Sequence, residues 1–291
     1  MLDKKRGMFY GMAIGDALGA AVEFQPKGTF REVTGYRGFG PHGLDPGQWT
    51  DDTSMALALA DSLGQRGWDK RDQLERYLEW RQNGKYSVTG YLFDIGTTTR
   101  YAIDNFEITG DLVSDDDIAS SGNGSIMRLA PVPIFWHDSL DRKLAQAARE
   151  SSETTHASEL CKDACAYMAL VLRALMRGED REIVLSKEWW NERLIDLHPR
   201  VYDIIENDEK EPVGSGFVID SLHAALWAFR TSDSFEEAVL KAVNLGDDSD
   251  TTGAVCGHFA GAYWGYDAIP KHLIEGLGKK DMIDLYLNPI L

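Results

Sequence analysis

At 291 residues the chain is long enough for one large domain or two small ones. Its 43% hydrophobic content against 26% charged residues supplies a sizeable core and excludes a disordered chain. A formal net charge of −17 sets the surface against nucleic-acid backbones and anionic membranes, so a phosphate-bearing ligand needs local help from a cation, a helix N-terminus or a few basic groups.

Helical periodicity dominates from end to end, and no run of alternating β-branched residues bounded by turn signals interrupts it. The first helix carries Gly7, Gly11, Gly15 and Gly19 at intervals of four, which strips one face of side chains and lets another helix approach closely. Lys4, Lys5 and Arg6 before an apolar stretch resemble the start of a signal peptide, but Asp16 and Glu23 interrupt that stretch. Those two carboxylates are seven residues apart, about two helical turns, so a continuing helix projects both from one face.

Met55, Ala58, Leu59 and Leu63 form a second apolar stripe, closed by Gly64 and Gly67. Leu160, Ala164, Tyr167, Met168, Val171, Leu172 and Leu175 form another, with Gly178 placed to end it. The stretch from Asp180 to Glu211 is polar, contains Trp189 and Trp190, and has the weakest periodicity, so it reads as an excursion on the surface. Ser234 with Glu237 makes a capping box for a helix through Ala238, Val239, Ala242 and Val243, ending at Gly246.

The elements predict one all-α domain over residues 1–291, a compact multi-helix bundle. No run approaches the ~18 apolar residues that span a bilayer. Cys161, Cys165 and Cys256 lack the spacing of a disulfide framework or a structural zinc site. A cytoplasmic protein with neither a membrane nor a nucleic acid as partner is the expectation.

Two segments gather hard oxygen ligands at helix starts. Thr50-Asp51-Asp52-Thr53 precedes the helix of Met55, and Asp247-Asp248-Ser249-Asp250-Thr251-Thr252 precedes one carrying Ala254 and His258. Either segment alone reads as a helix cap, since Asp and Thr are favoured N-caps and carboxylates favour the positive end of a helix dipole. Together they crowd five carboxylates into two turns, more than capping needs. A pair of hard divalent cations, Mg²⁺ or Mn²⁺, relieves that repulsion if the turns meet, with Asp51, Asp52, Asp248 and Asp250 as anionic ligands and Thr50 and Thr251 as neutral ones. Glu23 completes such a site if the first helix faces it.

Ser121-Gly122-Asn123-Gly124-Ser125, followed by Met127 and Arg128, has the glycines and hydroxyls of a loop whose backbone amides cradle phosphate. It lacks the Gly-Lys-Ser/Thr ending of a Walker A sequence. His156, just before a helix, is placed to meet phosphate or ribose, or to serve the fold.

These motifs occur in an order that resembles the ADP-ribosylglycohydrolases, including the dinitrogenase reductase-activating type. The resemblance is carried by Gly11 to Gly19 with Glu23, Trp49 to Thr53, Gly122 to Ser125 with Met127 and Arg128, Thr155 to Ser158, and Leu245 to Ala254, and spans about residues 7 to 270. It implies an all-α fold with a dinuclear Mg²⁺ or Mn²⁺ centre in a cleft. It carries metal binding onto Thr50, Asp51, Asp52, Asp248, Asp250 and Thr251, and substrate contacts onto Glu23, Ser121, Gly122, Asn123, Gly124 and His156. Asp247 falls outside the ligand set. Phe217 stands where relatives often have Tyr, which preserves stacking and loses a hydroxyl. Thr97, in the segment Asp94 to Arg100, stands where some relatives have Asn, and Asp94 approaches the reacting ribose.

The implied reaction is hydrolysis of the bond between C1″ of the distal ribose and a protein side chain, with arginine the favoured acceptor, serine open, and a nucleic-acid linkage open but disfavoured by the acidic surface. The cations would template the ribose hydroxyls and activate a water that Asp52 or Asp248 orients, while Glu23 exchanges a proton with the leaving group. The partners implied are an ADP-ribosylated protein and a cognate ADP-ribosyltransferase. Two alternatives stand beside this: a two-metal nucleotide pyrophosphohydrolase, and a non-catalytic ADP-ribose binder or toxin-blocking protein. Retention of every carboxylate weighs against a silent binder, which has no use for so much like charge.

Overall fold

A computed structural model describes residues 1–117, 121–206 and 212–291. Its helices in chain order are α1 (Leu2–Gly19), α2 (Asp51–Arg66), α3 (Lys70–Asn83), α4 (Thr97–Thr109), α5 (Pro131–Phe135), α6 (Asp141–Glu153), α7 (Glu159–Met176) and α8 (Arg181–Val184). They continue with α9 (Lys187–Asn191), α10 (Pro199–Glu206), α11 (Val218–Arg230), α12 (Phe235–Val243), α13 (Ser249–Trp264), α14 (Lys271–Gly276) and α15 (Lys280–Leu287). Among the described residues β-type pairing is confined to the isolated bridges Pro26–Gly246, Phe39–Leu44 and Gly122–Phe217. No helix among them is long and apolar enough to cross a membrane.

The most extensive helix pair is α1 with α13, and glycine decides it. A Cβ on Gly7, Gly11 or Gly15 would lie 2.5, 2.3 or 2.1 Å from the carbonyl oxygen of Gly261, Gly257 or Gly253 respectively. The two helices are therefore antiparallel and in backbone contact along their whole length, with glycine on both sides of the seam. Both are buried on nearly every face, as befits the centre of a bundle. α7 is buried almost throughout, and one hydrophobic cluster connects Met8 to Ile290.

Local punctuation agrees with the sequence in most places. Ser158 caps α7 through the Cys161 N–H, and Gly178 follows that helix at φ +87°. Ser234 caps α12 through the Glu237 N–H, while the Glu237 carboxylate accepts from Asp233 N–H at 2.9 Å. α2 continues through Gly64 to Arg66 before Gly67 turns it.

Two expectations are corrected. The helix that carries Asp16 stops at Gly19, so Glu23 does not share its face; it lies on a loop held by Phe24 N–H to the Asp247 carbonyl at 2.6 Å and Asp247 N–H to the Gln25 carbonyl at 2.8 Å. The stretch from Asp180 is no loose excursion in its described part. Trp189 and Trp190 are buried, Trp190 meets Tyr167 of α7 edge-on at 5.5 Å, and the short helices α8, α9 and α10 carry it. Its last residues, 207–211, lie outside the described ones.

Candidate active site

The glycine seam sets the site. A Cβ on Gly19 would fall 2.4 Å from the Asp250 Cα, so the end of α1 rests directly on the first turn of α13. One turn back, fully buried Asp16 points at α2. One of its oxygens accepts from the Thr50 N–H at 2.8 Å and Oγ1 at 2.9 Å; the other accepts from the Thr53 N–H at 3.0 Å and Oγ1 at 2.6 Å. The start of α2 is thus capped from α1, and the Thr50 side chain caps nothing. Asp248, the N-cap residue of α13, makes no side-chain cap bond either, its carboxylate accepting from Asn123 Nδ2 at 2.7 Å. Asp51, Asp52, Asp248 and Asp250 are therefore gathered for some purpose other than capping their helices.

The two acidic turns meet. Thr50 Oγ1 lies 3.1 Å from Asp250 Oδ2, and Thr251 Oγ1 lies 3.2 Å from Asp52 Oδ1. Asp16, Asp52 and Asp250 bring one oxygen each within the span of a single cation, as do Glu23, Asp248 and Asp250, so Asp250 belongs to both groups. Asp52 Oδ2 is buried without a hydrogen-bond partner. A desolvated carboxylate oxygen with no donor is costly, and a hard cation is the partner such an oxygen takes.

The electrostatics agree. Burial drives Asp51, Asp52 and Asp250 well above the usual carboxylate range, followed by repulsion from Asp94, Asp16 and Asp248 respectively. Asp16 is raised to about 6, by burial against the opposing pull of Thr53 and Thr50. Glu23 is pushed up to about 12, by burial first and then by Asp250, Asp94, Asp248 and Asp51. Without compensating positive charge these groups hold protons that ordinary carboxylates release.

Around them opens a cleft of about 720 Å³. Glu23, Asp51, Asp94, Asp247, Asp248 and Asp250 line it, and no Lys or Arg does among the described residues. Its other wall is the Gly122–Asn123–Gly124 turn, with Thr97 and Thr98 at the start of α4. His156 packs beneath that turn: a Cβ on Gly124 would lie 2.7 Å from His156 Cε1. Its Nδ1 bonds Thr155 Oγ1 at 2.8 Å, and burial, then the Arg128 charge, lowers it to about 3, so it stays neutral. The bridge between Gly122 and Phe217, with Asn123 N–H to the Gly216 carbonyl at 3.0 Å, ties the turn to the start of α11.

Residues 1–288 match the model for ADP-ribosylglycohydrolases. The chain belongs to that family. It is 38% identical over 289 residues to the ADP-ribosylarginine hydrolase Tri1 of Serratia proteamaculans, covering 97% of this chain and 77% of that protein. It is 32% identical to the ADP-ribosyl-dinitrogen reductase glycohydrolase of Rhodospirillum rubrum, covering 96% and 91%. A solved structure described as an ADP-ribosylglycohydrolase-related protein complex shares the fold at a TM-score of 0.88 and 43% identity, covering 99% of this chain and 97% of that one.

Most of the residues singled out in this ADP-ribosylglycohydrolase sequence converge on the cleft, with Asp52 and Thr50 wholly buried behind its floor. Three lie elsewhere. The Ser121 side chain turns away to the Ser158 hydroxyl at 2.9 Å. The Phe217 ring lines a neighbouring cavity under the Arg200 guanidinium, 5.7 Å from its centroid. Arg128, read as part of a phosphate loop, is fully buried and donates to the Gly124 and Ser151 carbonyls and the Thr154 and Thr155 hydroxyls, fastening the loop from behind.

Two members of the site escaped the sequence reading. Asp16 was noticed as a neighbour of Glu23, not as the residue that holds α2. His42 was not noticed: its Nε2 lies 2.6 Å from Glu23 Oε2 and 3.6 Å from Asp94 Oδ2. Its signal was Gly40-Pro41-His42-Gly43, a turn between two glycines at positive φ that lifts one imidazole out of the chain.

Proposed function

We propose that the chain removes ADP-ribose from arginine side chains of modified proteins by hydrolysing the C1″–N bond. The observation that carries this is the cleft itself: six carboxylates and, among the described residues, no Lys or Arg, beside a glycine turn. A pyrophosphate ligand enters such a place only with divalent cations and backbone amides to receive it. The arginine linkage is supported by the relative named for it, the ADP-ribosylarginine hydrolase of Serratia proteamaculans.

Thr50, Asp51, Asp52, Asp248, Asp250 and Thr251 would hold two ions, Mg²⁺ or Mn²⁺, and the unpartnered Asp52 oxygen supports that assignment. When bound, such ions supply Lewis acidity and a template for ribose hydroxyls. The remaining roles fall to the chain. The amides of Gly122 and Gly124 face the pyrophosphate, the Asn123 N–H being taken by the Gly216 carbonyl; His156 backs that turn as a neutral ring, and Thr97 borders the same wall. Asp52, buried behind the floor, serves through the ions it would hold, while Asp248, at the cleft wall, orients the attacking water. Its OH adds to C1″ and its proton reaches the guanidine nitrogen as the C1″–N bond breaks, so ADP-ribose and an arginine guanidinium leave. Glu23, which lines the cleft, is the carrier to that nitrogen, and Asp94 stands beside it across His42. Ser121 and Phe217 act from behind the turn, through its position.

An ADP-ribosyltransferase must supply this substrate, since the bond cleaved is the one such an enzyme makes. We read residues 1–291 as one domain, supported by the continuous core. A cytoplasmic setting is supported by three unpaired, buried cysteines. The test is turnover of an ADP-ribosyl-arginine protein with and without excess chelator, alongside far-ultraviolet circular dichroism. Released intact ADP-ribose, loss of turnover on chelation and retained helical signal are expected. AMP as product, or full turnover in chelator, overturns the reading.

A further inference from the structure

Beside the Glu23 end of the cleft runs a chain of ring contacts. Phe24 meets His42 edge-on with centroids 6.1 Å apart, His42 meets Phe93 at 5.6 Å, and Phe93 meets Tyr91 at 6.3 Å. Phe24 and Tyr91 are 66% and 62% exposed, an unusual placement for two large aromatic rings within one small patch. The patch is built, not frayed. Phe24 is held at φ +63° by its N–H bond to Asp247, and the His42 turn is closed by the Phe39–Leu44 pair. A Cβ on Gly40 would lie 2.6 Å from Ala21 Cα, so that turn is packed onto the Glu23 loop.

His42 shows what this place accepts. A planar ring bearing nitrogen sits between two aromatic side chains and against two carboxylates, Glu23 and Asp94. A guanidinium suits such surroundings by its own attributes: it is planar and cationic, stacks on aromatic faces and donates hydrogen bonds to carboxyl oxygens. A serine-linked substrate presents none of them. Of the cleft carboxyls, Glu23 and Asp94 stand outside the set that would hold the ions and lie against this rim, where they can accept from a guanidinium.

We infer that the Phe24–His42–Phe93–Tyr91 rim is the acceptor subsite, which stacks the guanidinium of the modified arginine and sets the preference for that linkage. The inference rests on the arginine reading above. Phe24, at the cleft wall, covers the guanidinium next to the scissile bond; Tyr91, farther out, covers the stem of the same side chain or the peptide that carries it.

The test compares wild type with Phe24→Leu, Tyr91→Leu and the double variant, on ADP-ribosyl-arginine and ADP-ribosyl-serine peptides of one sequence. Affinity for free ADP-ribose, measured by calorimetry, reports on the rest of the site and on folding. For the double variant KM on the arginine peptide is expected to rise about tenfold, the scale of losing one partly desolvated cation–π contact together with the apolar cover over the stem. The ADP-ribose affinity is expected to stay within about twofold, since a contact that only the acceptor makes is lost from KM alone. An unchanged KM on the arginine peptide overturns the inference, as does a parallel loss of ADP-ribose affinity. Wild type that cleaves only the serine peptide overturns the arginine reading instead, and is recognised without any variant.

Discussion

The hydrogen bonds that Asp16 accepts from Thr50 and Thr53 relieve the first carboxylates of α2 of capping, so that Asp51 lines the cleft and Asp52 is buried behind its floor. The Thr-Asp-Asp-Thr motif is legible as acidic and as a helix start; that its capping is done from another helix is not, because the acceptor, Asp16, lies 34 residues away in sequence. Glu23 carries the sharpest expectation at this scale. Glu23→Gln keeps the shape and a hydrogen-bond donor but cannot pass a proton, so kcat should fall by roughly 10²-fold or more, the usual scale for a positioned acid or base. Affinity for ADP-ribose should change far less. Steady-state kinetics and calorimetry decide the matter; a near-normal kcat would move the proton carrier to Asp94, the other carboxylate beside His42.

The element that matters most is the α1–α13 pair. Glycines at intervals of four in α1 announce a close helix contact, and Gly253, Gly257 and Gly261 repeat that interval in α13, but the sequence does not pair the two helices. Periodicity reveals a bare face and not the partner that fills it. A Cβ on Gly257 would stand 2.0 Å from the Gly11 carbonyl oxygen, a backbone atom that cannot rotate aside. Gly257→Ala must therefore push the helices apart, at the 1–3 kcal/mol typical of overpacking or more, roughly several degrees in Tm. Gly35→Ala, with nothing within 4 Å of the added methyl, is the control expected to leave Tm unchanged. The same separation draws Asp250 from Asp52, so cation retention should fall in step. Equal Tm values for the two variants by calorimetry would show that the seam is looser than its geometry.

For the whole molecule, the buried carboxylates make stability depend on pH and on cations together. Asp16 is raised from 3.8 to about 6 in the folded chain, with Asp51, Asp52 and Asp250 raised as well. Between those values the folded state binds more protons than the unfolded one, so the unfolding free energy of cation-free protein falls as pH rises. The stability that protonation confers is complete below about pH 4 and is lost through about pH 6 and above. A cation that binds only the folded state opposes this loss. Chelated protein should therefore show a lower Tm at pH 8 than at pH 5, and added Mg²⁺ should raise Tm more at pH 8. A chelated Tm independent of pH, or an equal effect of Mg²⁺ at both values, would contradict it. Sequence alone determined the all-α class, the two acidic turns, the glycine turn and the family, because each is written in local spacing or in an ordered set of motifs. Tertiary structure decided that Asp16 caps α2, that Glu23 enters from a loop, that Trp189 and Trp190 are anchors, and that His42 joins Glu23 and Asp94 at an aromatic rim. Those facts depend on which backbones can touch, and close contact along the α1–α13 seam is a property of two helices that neither states by itself.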